Sequence, residues 1–419
     1  MLTATREIQL PRKRLVAALL AVWGPGLVVM LADTDAGSLI TAAQSGAKWG
    51  YRMVLPQLVL IPILYVVQEM TVRLGIVTGK GHGALIREHF GRGWALLSVG
   101  TLFISAIGAL LTEFAGVAGV GELFGLPRPL TIPVATALLI GVGVTGNYRL
   151  TERIGIALGL GELAFIPALL MAHPSIAAIG HGLEGLPIGN SSYLMLLAAN
   201  VGAVIMPWMI FYQQGAVIDK GLHSVNIRSE RRDTAIGAIL TQLIMVTMVL
   251  VFATAVGRTN PGATLNTVGD MIRALQPYVN ATVGKIMFGG AVLGAALVAA
   301  LVASIAGAWG LSEVFGWNHT LNKPPSRQNA KFYTTYILAH ILGAVVVLLH
   351  VNLVRLILGV MVMNALLLPV VLGFLLALEA RVLPCAMRMH GPYRWVVSAL
   401  SLLVIGFGIY LVPVILGLA

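Results

Sequence analysis

Long apolar stretches recur along the whole chain of 419 residues, with only short polar gaps between them. Each is close to the roughly 20 residues that an α-helix needs to cross a lipid bilayer. Hydrophobic residues make up 58% of the sequence and charged residues 10%, whereas soluble proteins contain about 45–50% apolar and about 25% charged residues. The sequence therefore predicts an all-α membrane protein. It excludes a disordered chain, and the single Cys385 excludes an internal disulfide.

Eleven such stretches predict eleven transmembrane helices in one membrane domain over residues 1–419. Because the gaps are short, neighbouring helices run in opposite directions through the bilayer. The predicted spans cover roughly 15–46, 53–75, 94–123, 129–147, 153–173, 191–218, 234–257, 284–312, 332–352, 354–377 and 395–418.

The basic residues are distributed unequally between the two sides of the membrane. With a cytoplasmic N-terminus, roughly 20 of the 27 Lys and Arg residues lie on the cytoplasmic side and roughly 7 outside. This predicts a protein of the cell (inner or plasma) membrane with its N-terminus in the cytoplasm and its C-terminus outside. The net charge of +11 then indicates membrane orientation, and the lipid bilayer rather than nucleic acid is the expected partner. No small-residue cleavage site precedes the first span, so no cleaved signal peptide is expected.

The first span carries two carboxylates, Asp33 and Asp35, in its middle. Each costs at least about 2.5–3.5 kcal/mol at the bilayer centre, so it must face protein, water or a cation. Gly37 weakens the helix at the same place. These residues predict a broken first helix.

The sixth span has Pro207 in its middle. A proline leaves the carbonyl four residues earlier, that of Ala203, without its helical hydrogen bond. A simple kink is the alternative interpretation. However, the first and sixth spans occupy matching positions in two halves of five helices. Interrupted helices at matching positions are typical of the binding site of an inverted-repeat transporter. The predicted repeats cover roughly 14–175 and 190–378, with an extra helix at 394–418, and residues 33–38 and 203–208 form the predicted cation site.

Several motifs resemble the NRAMP family of proton-coupled divalent metal transporters. They are GPG at 24–26, DAG at 35–37 followed by QSGAKWGY at 44–51, RLGIVTGK at 73–80, LFGLP at 123–127 and GAVIMP at 202–207. The resemblance covers about residues 14–380 and implies a LeuT-like fold of 5+5 inverted repeats with broken helices 1 and 6. It also implies no cofactor, because the divalent metal ion is the substrate.

Four positions correspond to metal ligands of the resembled family: Asp35, Ser38, Ala203 and Met206. The family's Asp-Pro-Gly-Asn motif reads Asp-Ala-Gly-Ser here, so the aspartate is kept and the asparagine is replaced by Ser38. Met206 is kept, and its thioether favours Mn²⁺- or Fe²⁺-type metals. The loss of amide ligands leaves a thin shell that also suits a hydrated ion of the Mg²⁺ type. Both substrate classes therefore remain open.

Further residues are expected to line the substrate site, namely Asp33, Trp208, Gln213, Met361 and Asn364. Trp208 and Gln213 stand where the family has histidines, the side chains that titrate between pH 5 and 8. The resemblance assigns Glu113 a proton or gating role. Weak or altered proton coupling is therefore expected, with protons as a candidate partner beside the small cation substrate.

An indole beside a carboxylate also suits an organic cation, so a LeuT-like transporter of an amine or an amino acid-like amine is the alternative function. A channel is less consistent with paired broken helices. The sequence contains no nucleophile–base pair, phosphate loop or metal-hydrolase motif, and no enzyme is expected. Glu162 is expected to bond between helices rather than to bind a ligand. His340 and His350 are expected at the membrane interface, on a peripheral helix.

Overall fold

The computed structural model describes residues 24–417 except 258–259, 261–262, 266, 279 and 350–351. Within this part of the chain the regular structure is helical and contains no strand, which confirms the all-α class. The predicted start of the first span at residue 15, the basic N-terminus and His350 lie outside the described residues.

The α-helices follow one another in this order: α1 Pro25–Asp33, α2 Ala36–Trp49, α3 Val54–Thr78, α4 His82–Phe90, α5 Arg92–Leu123, α6 Arg128–Gly143, α7 Tyr148–Gly159, α8 Phe165–Ala172, α9 Ile176–Leu183, α10 Ser191–Val204, α11 Pro207–Asp219, α12 Ile227–Phe252, α13 Val268–Leu275, α14 Ala281–Phe315, α15 Ala330–Leu348, α16 Leu353–Val382 and α17 Gly391–Ile415. Short 3₁₀ turns lie at Gly50–Met53, Leu160–Ala164, Ser224–Asn226 and Cys385–Met387, and a π-helical turn at Ala253–Gly257.

Nine helical stretches of the described residues are long and apolar enough to cross a bilayer, and Arg128–Gly143 is a shorter apolar helix. One of the nine, Ala36–Thr78, contains parts of two predicted spans, because a 3₁₀ turn joins α2 to α3. When α1 and α2 are taken together as the first span, each of the eleven predicted spans has a helical counterpart. The bounds predicted for the two repeats stay a prediction.

The first span is broken between α1 and α2. Thr34 leaves the helical conformation with φ −76° and ψ 44°, and Asp35 is extended at φ −66° and ψ 172°. The Asp35 carboxylate restarts the helix, because its Oδ1 accepts a hydrogen bond from the Ser38 backbone N–H at 2.5 Å. One of the two acidic residues that predicted the break thus also caps the second half-helix.

The sixth span is broken rather than kinked. Helix α10 ends at Val204, and Ile205 and Met206 are extended. Pro207 then opens α11 at its first position, where a missing N–H costs no hydrogen bond. The proline therefore separates two half-helices.

The half-helices form the interior of the bundle. All residues of α1 are buried, as are nearly all residues of α2 and α11. Around them, α14 packs along α5, and α10 packs against α16 and α2. The outer helix α17 instead exposes apolar side chains such as Leu402, Leu403 and Ile409, as a lipid-facing surface requires.

The structure contains a third interruption that the sequence did not predict. The fifth span changes from α7 to a 3₁₀ turn over Leu160–Ala164 before α8 continues it. A stretch of 3₁₀ geometry inside a helix often marks a functional hinge. Glu162 lies in this turn and is fully buried.

The interfacial position expected for His340 is wrong. The side chain is fully buried, its Nδ1 lies 3.0 Å from the Tyr336 carbonyl, and its ring meets Phe114 edge-on at 6.3 Å between centroids. Helix α15 packs against α5 along this face, so part of the ninth span faces protein rather than the membrane interface.

Candidate cation site

The two breaks meet in the middle of the bundle. The Ser38 hydroxyl of α2 donates a hydrogen bond of 2.8 Å to the Ala203 carbonyl of α10, and both residues are fully buried. This is the carbonyl that Pro207 deprives of its helical hydrogen bond. Each oxygen retains a lone pair that can face a cation.

Asp35 lies beside this contact and is fully buried. Its Oδ1 accepts a hydrogen bond from the Ser38 N–H. Its Oδ2 has no hydrogen-bond partner among the described residues. One oxygen thus holds the half-helix, and the other is available for a ligand.

Glu113 of α5 lies next to Asp35. Its Oε2 accepts from the Ala36 backbone N–H at 3.1 Å, and its Oε1 accepts from the Thr112 hydroxyl at 2.8 Å. The structure therefore places a second buried carboxyl group beside the predicted metal ligand.

Met206 occupies the second break, fully buried at the N-cap of α11 and three residues after Ala203. Trp208 follows it, also fully buried, with an indole N–H that has no hydrogen-bond acceptor among the described residues. Both residues thus belong to the interior of the second break.

The two residues predicted from α16 occupy different places. The Met361 side chain reaches the first break, where its Cε lies 2.3 Å from the point that a Cβ on Gly37 would occupy. Asn364 instead accepts a hydrogen bond of 2.8 Å from the Ser105 hydroxyl of α5. The structure thus brings Met361, but not the Asn364 oxygen, to the broken region.

Gln213 is bonded elsewhere. Gln213 lies on α11, two helical turns beyond the second break. Its Nε2 donates at 3.0 Å to the hydroxyl of Thr234 on α12. The Gln213 side chain is fully buried and its Oε1 has no donor among the described residues.

Asp33 is fully buried at the end of α1, and neither carboxylate oxygen has a hydrogen-bond partner among the described residues. Its neighbour Thr34 donates through its hydroxyl to Glu162 of the interrupted fifth span. This bond confirms the expectation that Glu162 bonds between helices, but the sequence did not indicate that its partner lies at the first break. The one available signal was a glutamate in the middle of an apolar span.

The site offers few charged ligands. No group of three or more His, Cys, Asp or Glu side chains in the described part of the chain is arranged to hold a metal ion. A cation between the breaks would meet one carboxylate, a hydroxyl, a carbonyl and a thioether. The remaining positions of its shell would fall to water.

Residues 26–413 match the Nramp family, described as natural resistance-associated macrophage protein-like. This match spans nearly the whole chain. The chain belongs to the Nramp family. As an Nramp protein it is a multi-pass membrane transporter and not an enzyme.

Relatives and solved structures agree with this assignment. The chain is 29% identical over 312 residues to a divalent metal cation transporter, MntH, of Yersinia pestis strain Pestoides F, covering 72% of this chain and 75% of that protein. It is similar in structure to a manganese transporter of Eremococcus coleocola, with a TM-score of 0.73, 19% identity, and coverage of 98% of this chain and 89% of that one. MhsT, solved in complex with L-phenylalanine, gives a TM-score of 0.60 at 13% identity, with coverage of 94% of this chain and 98% of that chain.

At these identities the structural likenesses show the fold alone. They confirm the LeuT-like arrangement with broken first and sixth helices.

Proposed function

We propose that this Nramp protein is a secondary active transporter that moves a divalent metal cation across the membrane by alternating access. One observation carries the proposal: the buried Asp35 lies where the two broken helices meet and has a carboxylate oxygen without a hydrogen-bond partner. A buried charge at membrane depth persists where a cation visits it. The relatives named as divalent metal and manganese transporters support the same substrate class.

The proposed ligands are the Asp35 carboxylate, the Ser38 hydroxyl, the Ala203 carbonyl and the Met206 thioether. Support comes from the contact of 2.8 Å between Ser38 and Ala203 and from the burial of all four residues. Met206 supplies a soft ligand that favours Mn²⁺ or Fe²⁺. The single carboxylate and the space for water favour a Mg²⁺-type ion. Competition between these ions decides between the two.

Proton coupling is proposed to be weak or altered. Trp208 and Gln213 cannot titrate near neutral pH, and Gln213 is bonded to Thr234. The neighbouring carboxyl groups of Asp35 and Glu113 are the proposed route for a proton, because Glu113 accepts from the backbone N–H of Ala36, the residue after Asp35. Recording the pH inside liposomes during metal uptake tests this proposal, and one proton entering for each metal ion would contradict it.

Membrane placement and orientation are also proposed from the distribution of basic residues. We place the protein in the cell membrane with the N-terminus in the cytoplasm and the C-terminus outside. Protease protection of terminal tags in intact cells tests this orientation.

The decisive experiment is uptake into proteoliposomes with Mn²⁺, Mg²⁺, Ca²⁺ and a panel of amines. Wild-type protein is compared with Asp35→Ala and with Glu88→Gln, an exposed carboxylate outside the spans. We expect metal uptake that Asp35→Ala abolishes and Glu88→Gln retains. Uptake of amines without a metal response would establish the alternative function, transport of an organic cation.

A further inference from the structure

The two aspartates of the first break are in unequal electrostatic environments. Asp35 caps α2 and accepts a hydrogen bond from Ser38. Asp33 is buried to the same degree, yet both of its oxygens lack a partner among the described residues. A buried carboxylate without donors is among the most costly groups that a protein interior can hold.

The helix ends increase this difference. Asp35 stands at the N-terminus of α2, whose partial positive charge stabilises a carboxylate. Asp33 is the last residue of α1, so it lies at the partial negative end of that half-helix. Backbone carbonyls at such an end attract cations and repel anions.

A second acidic residue faces the same end of α1. The closely packed α7 brings it there, because a Cβ on Gly159 would lie 2.7 Å from the Leu31 Cβ. The chain then enters the 3₁₀ turn that holds Glu162, whose Oε2 accepts from the Thr34 hydroxyl. The same hydroxyl lies 3.2 Å from the Leu31 carbonyl, and Glu162 Oε1 has no partner among the described residues.

Within the described part of the chain, no ion pair joins a Lys, Arg or His side chain to Asp33 or Glu162. The neighbouring carboxyl groups of Asp35 and Glu162 repel a negative charge on Asp33. Glu162 has at least the Thr34 hydroxyl as a donor, whereas Asp33 has no donor among the described residues. One positive charge is therefore missing beside Asp33.

We propose that Asp33, Thr34 and Glu162, with the Leu31 carbonyl, form a second cation site that binds Na⁺. The available ligands are carboxylate, hydroxyl and carbonyl oxygens, which suit a hard ion. A monovalent ion supplies the one missing charge, and the described residues offer no third carboxylate, histidine or cysteine for a divalent metal. The site lies on the α7–α8 side of the first break, whereas the Asp35 site faces α10 and α11.

Binding of Na⁺ at this second site is independent of the proposed metal transport. Its role as a coupling ion does rest on that proposed function, because a coupling ion needs a transported substrate. Occupancy would link the end of α1 to the 3₁₀ turn of the fifth span. Thr34 of the second site directly precedes Asp35 of the metal site in the sequence, which provides a direct route for coupling between the two sites.

Thermal unfolding of the purified full-length protein tests the inference. The melting temperature is measured in Na⁺ and in choline at equal ionic strength, with Mn²⁺ added in separate samples. We expect Na⁺ to raise the melting temperature of wild-type protein, and Asp33→Asn and Glu162→Gln to abolish this rise. Asp35→Ala is expected to keep the Na⁺ response and to lose the Mn²⁺ response.

The stability of the variants in choline distinguishes the loss of a Na⁺ site from a general loss of folding. Removing an uncompensated buried charge should make Asp33→Asn more stable than wild-type protein in choline, whereas a purely structural role predicts a less stable variant. An unchanged Na⁺ response in both variants, or no response in wild-type protein, would overturn the proposal. Mn²⁺ could instead raise the melting temperature in Asp35→Ala but not in Asp33→Asn. That result would assign the site to a divalent ion and overturn its Na⁺ identity. Loss of the Mn²⁺ arm alone would contradict only the proposed metal transport.

Discussion

At the residue scale, two glycines set how closely α16 approaches the broken helices. A Cβ on Gly37 would lie 2.3 Å from Cε of Met361, and a Cβ on Gly202 would lie 1.9 Å from the Met361 carbonyl oxygen. The first collision involves the tip of a flexible side chain. The second involves backbone, which cannot move aside without shifting a helix.

This difference predicts a selective rescue. Gly37→Ala should displace the Met361 side chain and lower metal uptake, and adding Met361→Ala should restore most of the lost uptake. Gly202→Ala should lower uptake too, and Met361→Ala should not restore it, because the backbone oxygen stays in place. Initial rates of uptake into proteoliposomes measure both pairs. Equal rescue of the two glycine variants would show that the close contacts are not those described.

His82 gives a second prediction at this scale. The side chain is fully buried at the start of α4, where its Nδ1 lies 3.2 Å from Gln214 Oε1 and its ring packs edge-on against Phe211. Burial lowers the pKa of His82 to about 4. The unfolded chain takes up a proton near pH 6.5, but the folded chain does so only near pH 4.

His82 therefore stabilises the fold above pH 6.5, and this contribution is lost as the pH falls towards 4. The loss amounts to about 3 kcal/mol when complete. In His82→Gln the melting temperature should fall less between pH 7 and pH 4.5 than in wild-type protein, whereas the exposed His89→Gln should keep the wild-type profile. Matching profiles for wild-type protein and His82→Gln would refute this assignment.

At the element scale, the first turn of α1 is held by two carboxylates of α12. Asp233 Oδ2 accepts from the backbone N–H groups of Gly24 and Leu27 at 3.1 and 2.9 Å, and Glu230 Oε1 accepts from that of Gly26 at 3.0 Å. The free N–H groups of a helix start are thus satisfied from a neighbouring helix. The half-helix that carries Asp33 is anchored at its far end by these bonds.

Loosening this anchor should expose α1. Asp233→Ala removes two of the three bonds, at about 1 kcal/mol each. In a Cys385→Ser background with Leu27→Cys, a buried position, the substitution should accelerate labelling by a thiol reagent several-fold. The exposed Arg228→Ala serves as the matched control on the same helix. Unchanged labelling in Asp233→Ala would mean that these bonds do not hold α1 in place.

The elements also show what the sequence predicted and what it did not. The breaks of the first and sixth spans were predictable, because carboxylates and a proline in apolar stretches have large and local costs. The 3₁₀ turn at Leu160–Ala164 contains no proline and depends on the packing of Gly159 against Leu31 and on the bond from Thr34 to Glu162. Such contacts join distant segments and leave no local signal.

The positions of some predicted site residues also depend on contacts with distant segments, which the sequence does not show. The types of residue at Asp35, Ser38, Ala203 and Met206 pointed to one region. The Gln213 side chain instead donates a hydrogen bond to Thr234, and Asn364 accepts one from Ser105; both partners lie on other helices. A burial estimate for each helix would have been needed to foresee the interior position of His340.

At the scale of the whole molecule, the two ends of the bundle differ. At one end Glu69 of α3 accepts from Arg73, Arg231 and Tyr393, which ties α3 to α12 and α17. Arg73 also reaches Glu379 of α16 at 3.2 Å.

At the other end a cavity of about 670 Å³ extends down to Ile40 of α2 and Ala115 of α5, past Glu122 and Arg128. One end is thus closed by buried ion pairs, and the other is open towards α2.

Breaking the ion pairs should loosen the closed end. Arg231 is partly exposed, so its loss is expected to cost only about 1 kcal/mol, or roughly fivefold in local opening. Hydrogen exchange followed by mass spectrometry should show faster exchange in peptides around Glu69 and Glu379 of Arg231→Ala, with Arg228→Ala as control. Exchange confined to the cavity end would contradict this account of closure.

The central claim is that a divalent cation binds where the two broken helices meet, with Asp35 as its charged ligand. Anomalous diffraction from crystals of the protein grown with Mn²⁺ tests it most directly, with Asp35→Ala crystals as the matched comparison. A Mn²⁺ peak in contact with the Asp35 carboxylate and the Ala203 carbonyl is expected in wild-type protein, and its loss is expected in Asp35→Ala. A Mn²⁺ peak away from the breaks, or one that survives the substitution, would contradict it.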